Sequence, residues 1–369
     1  MKKSQKKLLV FIPSIEDGGV EKNLFLIINF LSKKIGNIDL ITYDYHAKNR
    51  FSKKINIICP FFNFINFNSR LPKYFFCLSV LISKLLFDKN YVVLSFQANI
   101  YVIILSQILG IDVISRSNSS STGWSKNFFK QFIFSYFFKK ANKIIVNSFD
   151  FKKEMDKKYK VKSICILNPF NFIDIIKKSK KKSKKIFLKK KSIKIISVGR
   201  LTHQKDFLTL FKAINIIKNK KSVELIIIGK GSEKQKLENY VKVNNLNKNI
   251  KFLGYQSNPF KYIKQSDIFV LTSLFEGSPN VLVEAMKLKK YIISTDCPTG
   301  PREILKNGKY GSLVPVGSYK QIANIIINFK LNSKIKTKIN EGYESLKKYD
   351  HNLNCKKYFD LIRDQIQIK

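Results

Sequence analysis

Two glutamates eight positions apart, Glu276 and Glu284, bracket the turn Gly277-Ser278-Pro279-Asn280, which runs into an apolar helix start at Val281. These types in this order suit a sugar-nucleotide clamp. Pro279 is pre-organised for a first helical turn, Gly277 lets a ligand approach the backbone, and the free N–H groups that follow make an anion site for a diphosphate. On this reading Glu284 lies about two turns inside the helix, on the side of its start. A carboxylate there can accept hydrogen bonds from two adjacent ribose hydroxyls, and Glu276, ahead of the turn, can face the sugar at the other end of the diphosphate. Gly277, Ser278, Asn280, Val281 and Glu284 are the expected donor-binding residues of this segment.

The flanking segments agree in order and spacing. Ile195-Ile196-Ser197-Val198-Gly199-Arg200-Leu201 is followed by Gln204-Lys205-Asp206, and Leu225-Ile226-Ile227-Ile228-Gly229-Lys230-Gly231 is a second strand that ends on a glycine turn. Further on comes Asp296-Cys297-Pro298-Thr299-Gly300-Pro301-Arg302-Glu303. With the two glutamates, these segments resemble the retaining family-4 glycosyltransferases of the GT-B fold. The last one is similar to a segment common in transferases that build bacterial surface polysaccharides. The resemblance covers nearly the whole chain and is specific from about residue 192 to residue 316.

The resemblance implies an α/β chain of two Rossmann-like domains whose parallel sheets face a central cleft. It also implies a nucleoside-diphosphate sugar donor of the UDP-sugar kind, and a hydroxyl of a growing, lipid-linked surface glycan as acceptor. A hexosyl or N-acetylhexosaminyl group is transferred with retention of configuration, without a cofactor, and the leaving phosphate helps to deprotonate the attacking hydroxyl. In the family, Arg200 and Lys205 correspond to residues that neutralise the donor diphosphate. Gly18-Gly19, after the first strand, corresponds to diphosphate and acceptor contacts, and Glu276 orients the sugar rather than acting as a general base. A family histidine that often touches the donor sugar is missing, since the chain has only His46, His203 and His351. The equivalent region is Ser115-Arg116-Ser117-Asn118, so Asn118 or Arg116 takes that contact. His203 is expected in a loop and Glu303 in a structural role.

A metal is not expected. A GT-A transferase would hold one through an Asp-x-Asp pair, and no two aspartates stand two positions apart. A departing diphosphate then needs fixed cations and dipoles, for which Arg200, Lys205 and the helix start after Gly277 are available.

The 369 residues exceed one usual core and suit two domains. Short apolar runs alternate with helical stretches, as parallel sheets with crossover helices require. The runs are 8–13, 38–42, 91–96, 113–115 and 143–147 in the first half, and 193–198, 224–228, 268–272 and 291–294 in the second. The expected organisation is an acceptor-binding domain over 1–175, a lysine-rich linker over 176–192, a donor-binding domain over 193–345, and a helix over 346–369 that packs back on the first domain. Lys2, Lys3, Lys6 and Lys7 precede the first apolar run, which is too short for a signal peptide, lacks a small-residue cleavage site and ends at Glu16-Asp17-Gly18-Gly19. It is expected as a buried strand. Five scattered cysteines without a Cys-x-x-Cys pair fit a reducing cytoplasm and not zinc. The apolar stretches 75–87 and 91–109 are interrupted by polar residues and are not expected to span a membrane.

The net charge of +44 invites an anionic partner. Part of it reflects a bias towards Lys, Ile, Asn and Phe, all encoded by A/T-rich codons. The run over 177–191 is open to two readings, a solvated linker or adhesion to anionic lipid. Nucleic acid is not expected, because no binding module accompanies the charge. Aromatic and basic residues interleave over 61–76 and 127–140, a composition that suits either core helices or an interfacial element with rings among lipid headgroups. The lipid reading places the enzyme in the cytoplasm, peripheral on the inner leaflet. Two rival functions remain: an inactive basic membrane scaffold on a degenerate GT-B fold, and a GT-B sugar-nucleotide epimerase. Intact Glu276, Glu284, Arg200 and Lys205 disfavour the first, and the scarcity of histidine disfavours the second.

Overall fold

The computed structural model describes residues 6–16, 18–61, 63–65, 67, 69–118 and 128–366. Lys2, Lys3, Asp17, Asn127, positions 62, 66 and 68, and the side chains of Phe128 and Phe129 lie outside that description. The chain forms two compact units, Met1–Phe170 with Lys348–Lys369, and Asn171–Lys347.

The first unit is built on seven strands: β1 (Lys7–Phe11), β2 (Ile38–Ile41), β3 (Ile55–Ile58), β4 (Tyr91–Ser95), β5 (Asp112–Arg116), β6 (Lys143–Val146) and β7 (Ile164–Cys165). They pair in parallel in the order β3-β2-β1-β4-β5-β6-β7. Successive side chains of β1 point to opposite faces, and both faces are covered. Leu8 and Val10 pack with Leu24, Ile28, Tyr358 and Ile362 on one side, while Leu9 and Phe11 pack with Leu81, Val102 and Phe151 on the other. Burial on both faces is why these strands read as continuous apolar runs. The helices Gly19–Lys34 and His351–Ile366 cover the first face, so the C-terminal helix completes the first unit's core.

The second unit carries β8 (Ile193–Val198), β9 (Val223–Ile228), β10 (Ile250–Phe252), β11 (Ile268–Leu271), β12 (Tyr291–Thr295) and β13 (Ser312–Val314). Their order is β10-β9-β8-β11-β12-β13, again all parallel. Each sheet therefore reverses its winding beside its own first strand, between β1 and β4 in one unit and between β8 and β11 in the other. In open α/β sheets, ligands bind beyond the carboxyl ends of the strands at such a reversal.

Four strands were not expected from the apolar runs: β3, β7, β10 and β13. They are the four edge strands, short and only partly buried.

The lysine-rich segment is not a free linker. Residues 172–179 form a helix capped by the Asn171 side chain, and the chain beyond is fastened to the second unit. The Gln265 amide bonds Ser183 Oγ and the Ile186 amide, Glu224 accepts from the Leu188 and Lys189 amides, and Ile186 and Phe187 are buried. Two apolar anchors and these backbone bonds outweigh the mutual repulsion of lysines whose side chains remain in solvent.

Candidate active site

At the winding reversal of the second unit, the segments after β8 and β11 meet. Gly199 to Leu201 lie against the loop after β9, with Gly199 N–H donating to Ile228 O at 3.0 Å and Leu201 N–H to Lys230 O at 2.9 Å. The approach is close enough that a Cβ on Gly229, which also has φ +152°, would sit 1.8 Å from Gly199 O. Only glycine fits there. Residues 203–205 then make a single 3₁₀ turn that Asp206 stops in a left-handed conformation, capping the next helix through Thr209 N–H. Thr272 Oγ1 donates to Lys205 O at 3.0 Å and the Gln204 amide to Phe275 O at 2.8 Å, which fix Lys205 beside the loop after β11.

This packing brings Lys205 and Glu276 together, 71 positions apart in sequence, as a largely buried ion pair. Ser273 Oγ donates to the same carboxylate oxygen, Oε1, at 2.6 Å. Among the described residues no bond to Oε2 of Glu276 is seen, and this oxygen can accept a further one. The main chain of Glu276 is held as well, by Thr299 Oγ1 at 2.6 Å. Gly300, at φ +83°, lets that loop press on Gly277, where a Cβ would come within 2.6 Å of Gly277 O. Asp296 and Arg302 brace the loop through a two-point ion pair. Burial, with Glu276 nearby, pushes the Cys297 thiol up to about 12, so it is an inert packing group at neutral pH.

Two expectations about the Glu276–Glu284 segment are corrected. Pro279 is the N-cap, with extended backbone at ψ 104°, rather than the first helical residue, and the helix runs Asn280–Lys287. Glu284 is therefore its fifth residue, a little over one turn inside, and is 2% exposed. Glu276, Gly277 and Asn280 are buried, whereas Ser278 and Val281 are partly exposed. Arg200 also differs from Lys205. It is exposed and makes no ion pair among the described residues, so its charge is available to an incoming anion while that of Lys205 is largely taken by Glu276. His203 is exposed on the 3₁₀ turn.

In the first unit, Gly18 is the N-cap of Gly19–Lys34 with ordinary extended angles, φ −84° and ψ −170°. Its small size matters instead of left-handed freedom: a Cβ would lie 2.7 Å from Glu21 Oε2. Arg116 is 0% exposed, donating to Tyr358 Oη and Asn168 Oδ1, each at 2.8 Å, so its guanidinium is bound into the interior. Asn118 spends its amide nitrogen on Phe96 O at 2.8 Å, while its Oδ1 has no partner among the described residues.

Ser273, Thr272, Thr299 and Gln204 were not singled out by sequence reasoning. The Ser-x-x-Glu spacing of Ser273 and Glu276 was the one available signal, since a turn after a strand brings such a pair together. The other three act through bonds to distant main chain.

Residues 178–345 match the family model for glycosyl transferases group 1. The second unit is a group 1 glycosyltransferase domain. The family resemblance read from the motifs holds. An uncharacterized glycosyltransferase of Methanocaldococcus jannaschii is 32% identical over 255 residues, and the match spans 62% of either chain. The N-acetylgalactosamine-N,N'-diacetylbacillosaminyl-diphospho-undecaprenol 4-alpha-N-acetylgalactosaminyltransferase of Campylobacter jejuni is 27% identical over 84% of this chain and 86% of its own. Among solved structures, HepE of Anabaena in complex with UDP and glucose superposes with a TM-score of 0.78 over 97% of this chain and 99% of its own, at 16% identity. The fold of the chain is GT-B, with a seven-stranded and a six-stranded parallel sheet.

Proposed function

We propose that the chain transfers a hexosyl or N-acetylhexosaminyl group from a UDP-sugar to a hydroxyl of a growing, lipid-linked surface glycan, with retention of configuration and without a metal. The observation that carries this reading is the buried Lys205–Glu276 pair at the winding reversal of the group 1 domain, with the unpaired Arg200 on the same loop. In this reading Arg200 and the start of Asn280–Lys287 meet the diphosphate, where a fixed cation and an oriented helix end stabilise the departing charge. Lys205 holds Glu276 in register and adds a second positive centre. Glu276 presents Oε2 to a hydroxyl of the donor sugar, and the buried Glu284 accepts from the ribose. Gly18, Gly19 and Asn118 serve the donor and acceptor from the first unit. The Campylobacter relative, an N-acetylgalactosaminyltransferase acting on a diphospho-undecaprenol-linked glycan, supports an N-acetylhexosamine donor and a lipid-linked acceptor. UDP and glucose in the HepE complex support the donor.

A lipid-linked acceptor asks the enzyme to work at a bilayer. No helix among the described residues is long and apolar enough to cross one, and peripheral attachment to the inner leaflet through aromatic and basic residues is our reading. The experiment is release of nucleoside diphosphate from a panel of UDP-sugars, with polyprenol-diphosphate-linked acceptors and with chelator present. Turnover of at least one donor, unaffected by chelator, with an anomeric proton of unchanged configuration in the product, is expected. No release from any donor would refute transfer, collapse with chelator would refute metal independence, and an inverted product would refute retention.

A further inference from the structure

A cavity of about 240 Å³ opens in the first unit at the carboxyl edge of its sheet, beyond β2, and the donor site makes no use of it. Asp44, Tyr45, His46, Asn63, Phe64 and Lys73 are among its lining residues. The walls are aromatic. Tyr45 and Phe64 are 45% and 70% exposed at a concave surface, and Lys48 Nζ donates to Tyr45 Oη at 2.6 Å and lies 5.0 Å from the centre of its ring. Behind them Tyr43 is buried against Phe67 and Phe76, and its hydroxyl donates to Ile65 O at 2.9 Å, which holds the segment that carries Phe64.

The floor is polar and already balanced. Asp44 is buried, one carboxylate oxygen accepting from Lys73 Nζ and the other from Ile15 N–H, both at 2.7 Å. The second bond ties the cavity to the chain leaving β1, three residues before Gly18. Because Lys73 is neutralised, the floor does not call for an anion. His46 makes no side-chain bond among the described residues and stands exposed at the rim, with the Asn63 amide partly buried nearby.

The chemistry that matches is a neutral ring with hydroxyls at its edge and C–H groups on its face. The positive edges of C–H bonds lie well against the negative face of an aromatic ring, and an imidazole and an amide offer donors and acceptors to hydroxyls. The volume is below the range of about 300–1,000 Å³ usual for drug-sized ligands, so a single ring fits and a chain does not. We propose that this cavity is a subsite for one sugar ring of the acceptor glycan, with Tyr45 and Phe64 as stacking walls and His46 and Asn63 as hydroxyl partners. The proposal rests on the glycan-acceptor reading above.

The test is saturation-transfer NMR on the full chain with methyl glycosides of glucose, galactose, N-acetylglucosamine and N-acetylgalactosamine, and UDP titrated in parallel. At least one glycoside should bind, and Tyr45→Ala combined with Phe64→Ala should weaken it about tenfold, as loss of aromatic anchors does. His46→Ala should weaken it less, and UDP affinity should stay the same in all variants, which also shows that they fold. Both rings are exposed, so their removal spares the core. A glycoside bound equally by the double variant, or none bound by a chain that binds UDP, would overturn the subsite. Failure of the wild type to bind UDP counts against the donor reading, and the glycoside arm then decides the subsite alone.

Discussion

Of the large apolar side chains left exposed among the described residues, fourteen belong to the first unit and six to the second, although both units are parallel sheets wrapped by helices. In the first unit they collect on one layer. Leu71, Phe75, Leu86, Phe87, Tyr101 and Ile108 lie on the helices Arg70–Phe87 and Asn99–Leu109, and Phe132 and Tyr136 on Phe128–Phe138. The opposite layer, Gly19–Lys34 and His351–Ile366, exposes only Leu353 among these. Between positions 61 and 149 the only carboxylates are Asp88 and Asp112, and the same stretch holds fifteen of the chain's 31 phenylalanines. Codon bias would spread phenylalanine along the chain; it does not explain this concentration. One architecture thus carries two surfaces, a polar loop cluster around the Lys205–Glu276 pair in the second unit and an apolar, carboxylate-poor layer in the first.

The sharpest way to break the comparison is at the proposed anion site. Lys205→Ala leaves Glu276 buried without its cation, and Arg200→Ala removes the unpaired one. Each should lower turnover by about 10²-fold or more, as loss of one transition-state stabiliser does. Turnover within a few-fold of wild type for Arg200→Ala would move the diphosphate elsewhere.

Glu284→Ala should cost less, about 1–3 kcal/mol in affinity for the nucleoside diphosphate, because the ribose hydroxyls lose a buried acceptor. Isothermal titration with UDP checks it, and an unchanged Kd removes the ribose assignment.

For the apolar layer, the measure is co-sedimentation with vesicles containing anionic lipid. Lysines near such a surface contribute about 1 kcal/mol each and are screened by salt, whereas inserted rings are not screened. Replacing Lys180, Lys181, Lys182, Lys184 and Lys185 by Gln should remove the salt-sensitive part of binding, and Phe75→Ala with Phe87→Ala the part that survives high salt. If the wild type ignores anionic vesicles at low salt, the layer has another partner and a soluble acceptor is the better reading.

The smallest expected effect contrasts two buried carboxylates. Glu276 has Lys205, while Glu21, in the first turn after Gly18, has no ion pair among the described residues, and burial raises its carboxyl above the ordinary value of 4.5. The folded chain then holds this proton more tightly than the unfolded chain does, so stability falls as pH rises through and above that value. Glu21→Gln should raise the unfolding temperature at pH 7 and leave it nearly unchanged at pH 4. A fall at pH 7 would show that the charged form is used.

Legibility followed burial. The nine strands visible as apolar runs are the central ones, buried on both faces, and the four that were missed are the sheet edges, where Ile55–Ile58 or Ser312–Val314 need no continuous apolar pattern. Glu276, Glu284, Arg200 and Lys205 could be named because glycine and proline mark the turns that carry them. Their unequal states could not. Arg200 and Lys205 are five positions apart and look alike in sequence, yet one is exposed and the other spent on Glu276. Arg116 and Asn118 looked equally able to reach a sugar until Tyr358, 242 positions from Arg116, was found to occupy the arginine.

Residue type and local spacing alone determined the parallel α/β build and the turns that carry Arg200, Lys205, Glu276 and Glu284, and the motifs on those turns carried the resemblance to glycosyltransferases, because apolar period, glycine turns and carboxylate positions are local properties of the chain. Tertiary structure decided which of Arg200 and Lys205 makes no ion pair among the described residues, which carboxylate is paired, that the lysine-rich segment is anchored by Ile186 and Phe187, and that Tyr45, His46 and Phe64 share a cavity. Those outcomes depend on long-range contacts whose partners no local pattern names.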